Sequence, residues 1–185
     1  MGAPGERKEV TVLKELSWEE AIVLASPYPY VLAVTVDKEG KPNAIGLGWW
    51  TYVSWEPPMI AIAVGPKRYS YECLEHCGEF VLVFPAEDQW KGAWHCGTVS
   101  GRGRDKLAEA GLKTIPAKVV KPPLIEGATV CYECRVVERV KTGDHELFIA
   151  DVVAIHGDPE RAKHLYSIGY ERLTAISHAE VKPLR

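Results

Sequence analysis

The sequence predicts a mainly β protein built on an antiparallel barrel, and a few observations carry that expectation. Apolar, β-branched runs follow one another along the chain, bounded by short polar or glycine-containing segments. Some of the connections, Asp37–Gly40 and Lys141–Asp144, are short enough for hairpin turns. The run His145–Ile155 is apolar on both faces, with Leu147, Ile149 and Val153 on one and Phe148, Ala150 and Val152 on the other. Such a strand must be covered twice. A closed barrel covers its inner side, and a second subunit or packed helices cover the outer. A homodimer is therefore expected.

The elements follow in order. Val10–Leu13 reads as a short strand after a polar tail. Ser17–Glu20 has the spacing of a capping box, so a helix should run from there to about Ala25, ended by Pro27 and Pro29. Tyr30–Val36 is a strand, and Pro42–Ser54 returns as a long one broken by Gly46 and Gly48, which mark a bend, a bulge or the close approach of a ligand. Met59–Val64 is the next strand. A short helix should follow the polar turn at 65–70 and reach His76, and Glu79–Phe84 is again a strand. Ala86–His95 and Asp105–Ala110 read as helices around the glycine-rich Gly97–Gly103. Thr129–Val140 and His145–Ile155 pair as a long hairpin, and a helix-like stretch follows Pro159.

The bulk numbers narrow the function classes. With 185 residues the chain is expected to form one domain, with 46% hydrophobic and 25% charged residues, ordinary for a soluble protein. A net charge of −3 argues against a broad nucleic-acid surface. The first residues lack the apolar core of a signal peptide, and no run is long enough to span a membrane, so a cytoplasmic location is expected. Five cysteines without a sign of export do not suggest a disulfide framework. Cys131 and Cys134 have zinc-ligand spacing, but three residues apart on a strand they face opposite sides. Buried thiols are therefore the preferred reading, and no metal is expected.

Three stretches remain as candidate chemistry. "GPKRYS", with Lys67, Arg68 and Ser70, places two cations and a hydroxyl before a helix, which suits either a phosphate cradle or a solvated turn. "SGRGRDK", with Ser100 and Lys106, offers glycine-permitted backbone N–H groups and cations, without the spacing of a Walker loop. His145 opens a strand after a hairpin turn, as a surface residue or as a donor to a ligand. Between these lies "GLGWWTYVSWEPP", in which adjacent Trp49 and Trp50 must face opposite ways. A planar aromatic ligand carrying a phosphate would use all of them. Flavin mononucleotide fits that description, and so do other ligands.

The order of these motifs resembles the flavin reductase-like family, the FMN-binding split-barrel proteins that include flavoredoxins and archaeal ferric reductases. The resemblance runs from about Pro27 to about Tyr170, through "KPNAIGLGWWTYVSWEPPMIAIAVGPKRYSYECL", "GEFVLVFP", "SGRGRDK", "ECRV" and "GDHELFIADVV". It implies a six-stranded antiparallel Greek-key split barrel with short peripheral helices, working as a homodimer. It further implies FMN as cofactor, NAD(P)H as hydride donor, and free flavin, ferric iron or a redox protein as acceptor. An FMN-binding electron carrier without its own NAD(P)H site is the alternative.

Residue by residue, the resemblance sets the strand from Asn43 through Gly48 to Ser54 along the flavin ring, with Thr51 and Ser54 near the ring or ribityl chain. One of Trp49 and Trp50 packs inward, and the other lies beside the flavin or across the dimer contact. Trp49 is favoured for the flavin. Lys67, Arg68 and Ser70 match the phosphate turn, Ser100 lies in the Ser-Gly…Asp-Lys piece whose lysine Lys106 matches as a second cation for phosphate or ribityl oxygen, and His145 matches a histidine near the flavin, where a nicotinamide could stack. The segment Ala86–Gly97, with Trp90, Trp94, His95 and Cys96, departs from the family pattern and is expected to shape the acceptor pocket.

Overall fold

The computed structural model describes residues 13–169 and 171–177. Helix α1 spans Trp18–Leu24. It starts as a capping box, with the Ser17 hydroxyl accepting from the Glu20 N–H (3.2 Å) and the Glu20 carboxylate accepting from the Ser17 N–H (2.8 Å). Strands β1 (Tyr28–Pro29), β2 (Val31–Val36), β3 (Pro42–Leu47), β4 (Trp50–Ser54) and β5 (Met59–Val64) follow, then helix α2 (Tyr69–Cys77) and strand β6 (Glu79–Phe84). A single 3-10 turn leads into α3 (Trp90–Thr98), and α4 (Lys106–Glu109) is capped by Asp105. Two short strands, β7 (Thr114–Ile115) and β8 (Leu124–Ile125), precede the long hairpin β9 (Val130–Thr142) and β10 (His145–Gly157). The described chain ends with β11 (Lys163–Ile168) and β12 (Arg172–Ser177).

Seven strands pair antiparallel in the order β3-β2-β6-β9-β10-β5-β4. The two outermost, β3 and β4, are consecutive in the chain and separated only by Gly48 and Trp49. One run of chain thus supplies both edges, and the sheet curls into a barrel split at that break. Counted with 42–54 as a single bent strand, it is the expected six-stranded Greek-key split barrel.

Side-chain alternation sorts the interior into two layers. Ala33, Ile60, Ile62, Phe80, Leu82, Cys134, Phe148 and Ala150 fill the barrel. Leu32, Val34, Val81, Val83 and Cys131 face outward, beneath Ala93, Cys96, Leu107, Leu112 and Val120. Cys131 and Cys134 therefore lie on opposite sides of the sheet, as the strand period requires.

The largest departure from the sequence reading is at the C-terminal end. The stretch after Pro159 is not helical: β11 and β12 form a hairpin, and β11 pairs with β1, so that Tyr28 lies opposite Ser167. One of the two partners of β11, the short β1, is remote in sequence, and strand propensity depends on such context. The helix expected at Ala86–His95 begins only at Trp90 and extends to Thr98, so Gly97 is a helical residue. Of the strand expected at Val10–Leu13, residues 10–12 lie outside the described residues, and Leu13 is exposed and unpaired with any strand.

Packing by itself requires glycine at 46. A Cβ there would stand 1.9 Å from the Tyr30 hydroxyl and 2.9 Å from Cα of Gly97, and a Cβ on Gly97 would stand 2.1 Å from the same hydroxyl. The two glycines let α3 sit directly on β3 around Tyr30, whose hydroxyl donates to the Ala93 carbonyl (3.2 Å). Gly46→Ala should therefore destabilise the protein by about 1–3 kcal/mol through overpacking. A lowered thermal midpoint checks this, and an unchanged midpoint would show that α3 is free to shift.

Candidate functional site

A groove runs from the break between β3 and β4 to the start of α2, in two connected lobes. The first, about 260 Å³, is lined by Ile45–Trp49 from the end of β3, Ala63–Gly65 from β5, Arg68, Gly97 and His145. The second, about 110 Å³, is lined by Lys67–Ser70, Cys96–Gly101 and Lys106. Ile45, Arg68 and Gly97 belong to both. Together the lobes have the size of an ordinary small-molecule site, about 300–1,000 Å³.

The first lobe is apolar and has an aromatic wall. The rings of Trp49 and His145 meet with centroids 4.7 Å apart at 48°. The imidazole is held from behind, because Nδ1 donates to the Asp144 carboxylate (2.7 Å). The same bond holds the Asp144 carboxyl below its ordinary pKa. A partnered Nδ1 fixes the ring plane and leaves Nε2 as its other polar atom.

The second lobe is cationic. Lys67, Arg68 and Lys106 have no carboxylate partner among the described residues. The neighbouring Arg102 and Arg104 are different: Arg102 pairs with Glu72 and Arg104 with Glu109. Lys106 is only 3% exposed. Burial pushes its ammonium pKa down; Cys96 opposes that shift and Arg68 adds to it. A buried cation without a counter-ion is costly, and an anion in the lobe removes that cost. α2 opens at the same place, so its first-turn N–H groups and dipole favour negative charge there.

Asn43 stands behind this lobe. Its Nδ2 donates to the Ser70 hydroxyl (2.8 Å) and to Thr35 Oγ1 (3.4 Å). The Ser70 oxygen is thus used as an acceptor, and its own proton is left to give to a ligand. Asn43 Oδ1 is buried without a partner, and a Cβ on Gly101 would stand 2.0 Å from it. Glycine at 101 is what brings the loop this close.

The structure brings most of the expected residues together. Gly48, Trp49, Lys67, Arg68, Ser70, Ser100, Lys106 and His145 line the groove, and Asn43 supports it from one layer behind. Trp50, Thr51 and Ser54 do not line it. Trp50 packs edge-on against Phe84 (5.1 Å) and donates through Nε1 to the Pro29 carbonyl (3.2 Å). Thr51 donates to the Tyr52 carbonyl and lies exposed on β4. The segment Ala86–Gly97 reaches the groove only through Cys96 and Gly97. Cys96 is buried, Trp90 is exposed, and Trp94 does not line either lobe. Sequence reasoning missed Ala63 and Val64, which carry no distinctive chemistry. Gly97 reads in the sequence as part of the glycine-rich Gly97–Gly103, and its place in α3 shows only in the fold.

Helices α2, α3 and α4 pack against β2, β3 and β6. On the other side of the barrel Val53, Val137, Val140 and Ile155 are exposed, and Trp49, at the groove mouth, is 39% exposed. Among the described residues no helix is long and apolar enough to cross a membrane, and no group of three or more His, Cys, Asp or Glu is placed to hold a metal.

Residues 24–174 match the flavin reductase like domain. An uncharacterized protein of Archaeoglobus fulgidus is 36% identical over 132 residues, covering 71% of this chain and 75% of that one. The NADH:riboflavin 5'-phosphate oxidoreductase of Streptomyces pristinaespiralis is 30% identical over 145 residues, covering 77% and 78%. A solved structure with a split barrel domain, from Shewanella frigidimarina, superposes with a TM-score of 0.80 over 90% of this chain and 91% of that one. Its sequence identity is 14%, so this likeness speaks for the fold alone.

Proposed function

The chain belongs to the flavin reductase-like family, and from that premise we propose that it is an FMN-dependent oxidoreductase. It takes a hydride from NADH or NADPH and passes electrons to free flavin, ferric iron or a small redox protein. The observation that carries this reading is the convergence of Lys67, Arg68 and Lys106, all without carboxylate partners, on one end of a groove whose other end is apolar and walled by Trp49 and His145. That is the polarity of a planar ring joined to a phosphate monoester. FMN as the preferred flavin is supported by the Streptomyces relative, whose name specifies riboflavin 5'-phosphate.

Bound FMN supplies the hydride-accepting and electron-releasing chemistry. The chain binds, orients and shields. Lys106, Lys67 and Arg68 neutralise the phosphate, and Ser70, turned by Asn43, gives it a hydroxyl hydrogen bond. The ladder is interrupted at Gly48, which leaves backbone groups there to meet the polar edge of the ring. His145, held by Asp144, orients the ring or the nicotinamide and carries no proton in the reaction. A second copy of the chain covers the apolar face beside Trp49 and closes the ring lobe, so the working form is a cytoplasmic homodimer.

The experiment is an absorption spectrum of the purified protein before and after anaerobic NADH and NADPH, with mass spectrometry of the released cofactor. Flavin bands that bleach with a nicotinamide are the expected result. Bands that persist would make the protein an electron carrier. An absence of bands after adding FMN would overturn the flavin reading, and released FAD would correct the cofactor.

A further inference from the structure

Outside the groove, one polar cluster has a geometry that reaches into it. Glu146 follows His145 on β10, is 6% exposed, and carries both carboxylate oxygens in use. Oε2 accepts from the Tyr71 hydroxyl (2.5 Å) and Oε1 from Arg139 Nε (2.6 Å). Arg139 also donates to the Tyr71 oxygen (2.9 Å) and to Glu75 (2.8 Å), one helical turn further along α2. Its guanidinium lies 5.1 Å from the Phe148 ring and 5.6 Å from the Tyr71 ring. Every member is satisfied by another, the condition under which a polar network fixes geometry.

The cluster links the two halves of the groove. Tyr71 is in the first turn of α2, next to Ser70 and three residues from Arg68, which line the cationic lobe. Glu146 adjoins His145, which walls the ring lobe. On the other side β10 pairs with β5, Glu146 opposite Val64, and β5 continues through the tight turn at Gly65–Arg68 into α2. β5, α2 and β10 thus form a closed loop, locked by the Tyr71–Glu146–Arg139 contacts. Without that lock, the N-terminal end of β10 is held by its ladders to β5 and β9 alone, beside a hairpin tip whose Asp144 side chain is 90% exposed.

We propose that Glu146 is a positioning residue: through Tyr71 and Arg139 it fixes the distance between the His145–Trp49 wall and the cationic cradle. It touches neither ring nor phosphate and acts through His145. The proposal rests on the reading of the groove as a flavin site. It assigns Glu146 an effect on the rate of hydride arrival and none on phosphate binding.

The test is a double-mutant cycle on the FMN-loaded protein, read as the single-turnover rate at which the nicotinamide active on wild type bleaches the flavin, with FMN affinity measured alongside. Glu146→Ala is expected to slow bleaching about ten- to a hundredfold, the scale of a misplacement near the reacting groups, with FMN affinity held within about twofold. His145→Ala combined with Glu146→Ala should be no slower than His145→Ala alone, because residues acting through one another are non-additive. Tyr71→Phe removes one oxygen from the lock and carries the same test if Glu146→Ala does not fold. Wild-type bleaching rates in Glu146→Ala or Tyr71→Phe, or multiplied effects in the double variant, would overturn the proposal. Wild-type bleaching in His145→Ala would instead remove His145 from the proposed reaction, and the role of Glu146 with it.

Discussion

Lys106→Met is expected to weaken FMN binding about ten- to a hundredfold, the loss of one charge-assisted contact of about 1.5–3 kcal/mol. The same change should raise the stability of the cofactor-free protein. Both effects have one cause. The ammonium is buried at the cationic lobe, and no carboxylate neutralises it among the described residues. Its cost is borne by the free protein and recovered when an anion arrives, so removing it helps the first state and harms the second. Lys67 lies exposed on the same lobe and remains hydrated in the free protein. Lys67→Met should weaken FMN binding less and leave the stability of the free protein nearly unchanged. Fluorescence titration with FMN and thermal unfolding with and without FMN read the two effects separately. Equal effects of the two substitutions would show that burial of Lys106 plays no part.

This contrast also marks where the sequence stops being informative. Lys67, Arg68, Arg102, Arg104 and Lys106 read alike as cations in two polar loops. Only the fold shows that Glu72 and Glu109 occupy two of them and that, among the described residues, no carboxylate pairs with the other three. The tryptophan pair was legible up to the same point. The strand period requires Trp49 and Trp50 to face opposite ways, but which one meets the groove depends on where β3 breaks, and Gly48 sets that. The strands of the barrel were legible because each carries its own apolar pattern and several turns are short. β11 was not: its hairpin partner β12 is local, but its other edge is paired by the two-residue Tyr28–Pro29, which is remote in the sequence. Asn43 could be assigned to the ligand by resemblance. That it works through Ser70 is visible only once β3 and α2 are side by side.

Glu133→Ala is expected to cost about 3–5 kcal/mol, the scale for removing one partner from a buried charged network. Against a total stability of about 5–15 kcal/mol, this brings the protein close to unfolding. Residues 118–121 precede Pro122 and Pro123 and lie outside every strand ladder, so their N–H groups need side-chain acceptors. Glu133, fully buried on β9, takes the N–H groups of Lys118 (2.8 Å), Val119 (2.6 Å) and Val120 (2.9 Å), while Glu79 takes that of Lys121 (3.0 Å). Nε2 of His156 donates to the same Glu133 carboxylate (2.6 Å). Burial alone would raise the carboxyl pKa, but the backbone donors at Lys118, Val120 and Val119, together with His156, hold it below the ordinary glutamate value. A carboxylate with a depressed native pKa adds stability above its unfolded pKa, about 4.3, and that stability is lost as the pH falls through the native value. Glu133→Gln keeps one acceptor oxygen but brings an amide NH₂ against these donors, so it too should be destabilised at neutral pH. The difference from wild type should narrow in acid, as wild type takes up its own proton. Denaturant unfolding across pH 7 to 3 reads both effects, and a difference that stays constant with pH would show that the loop is held by shape and not by the charge of Glu133.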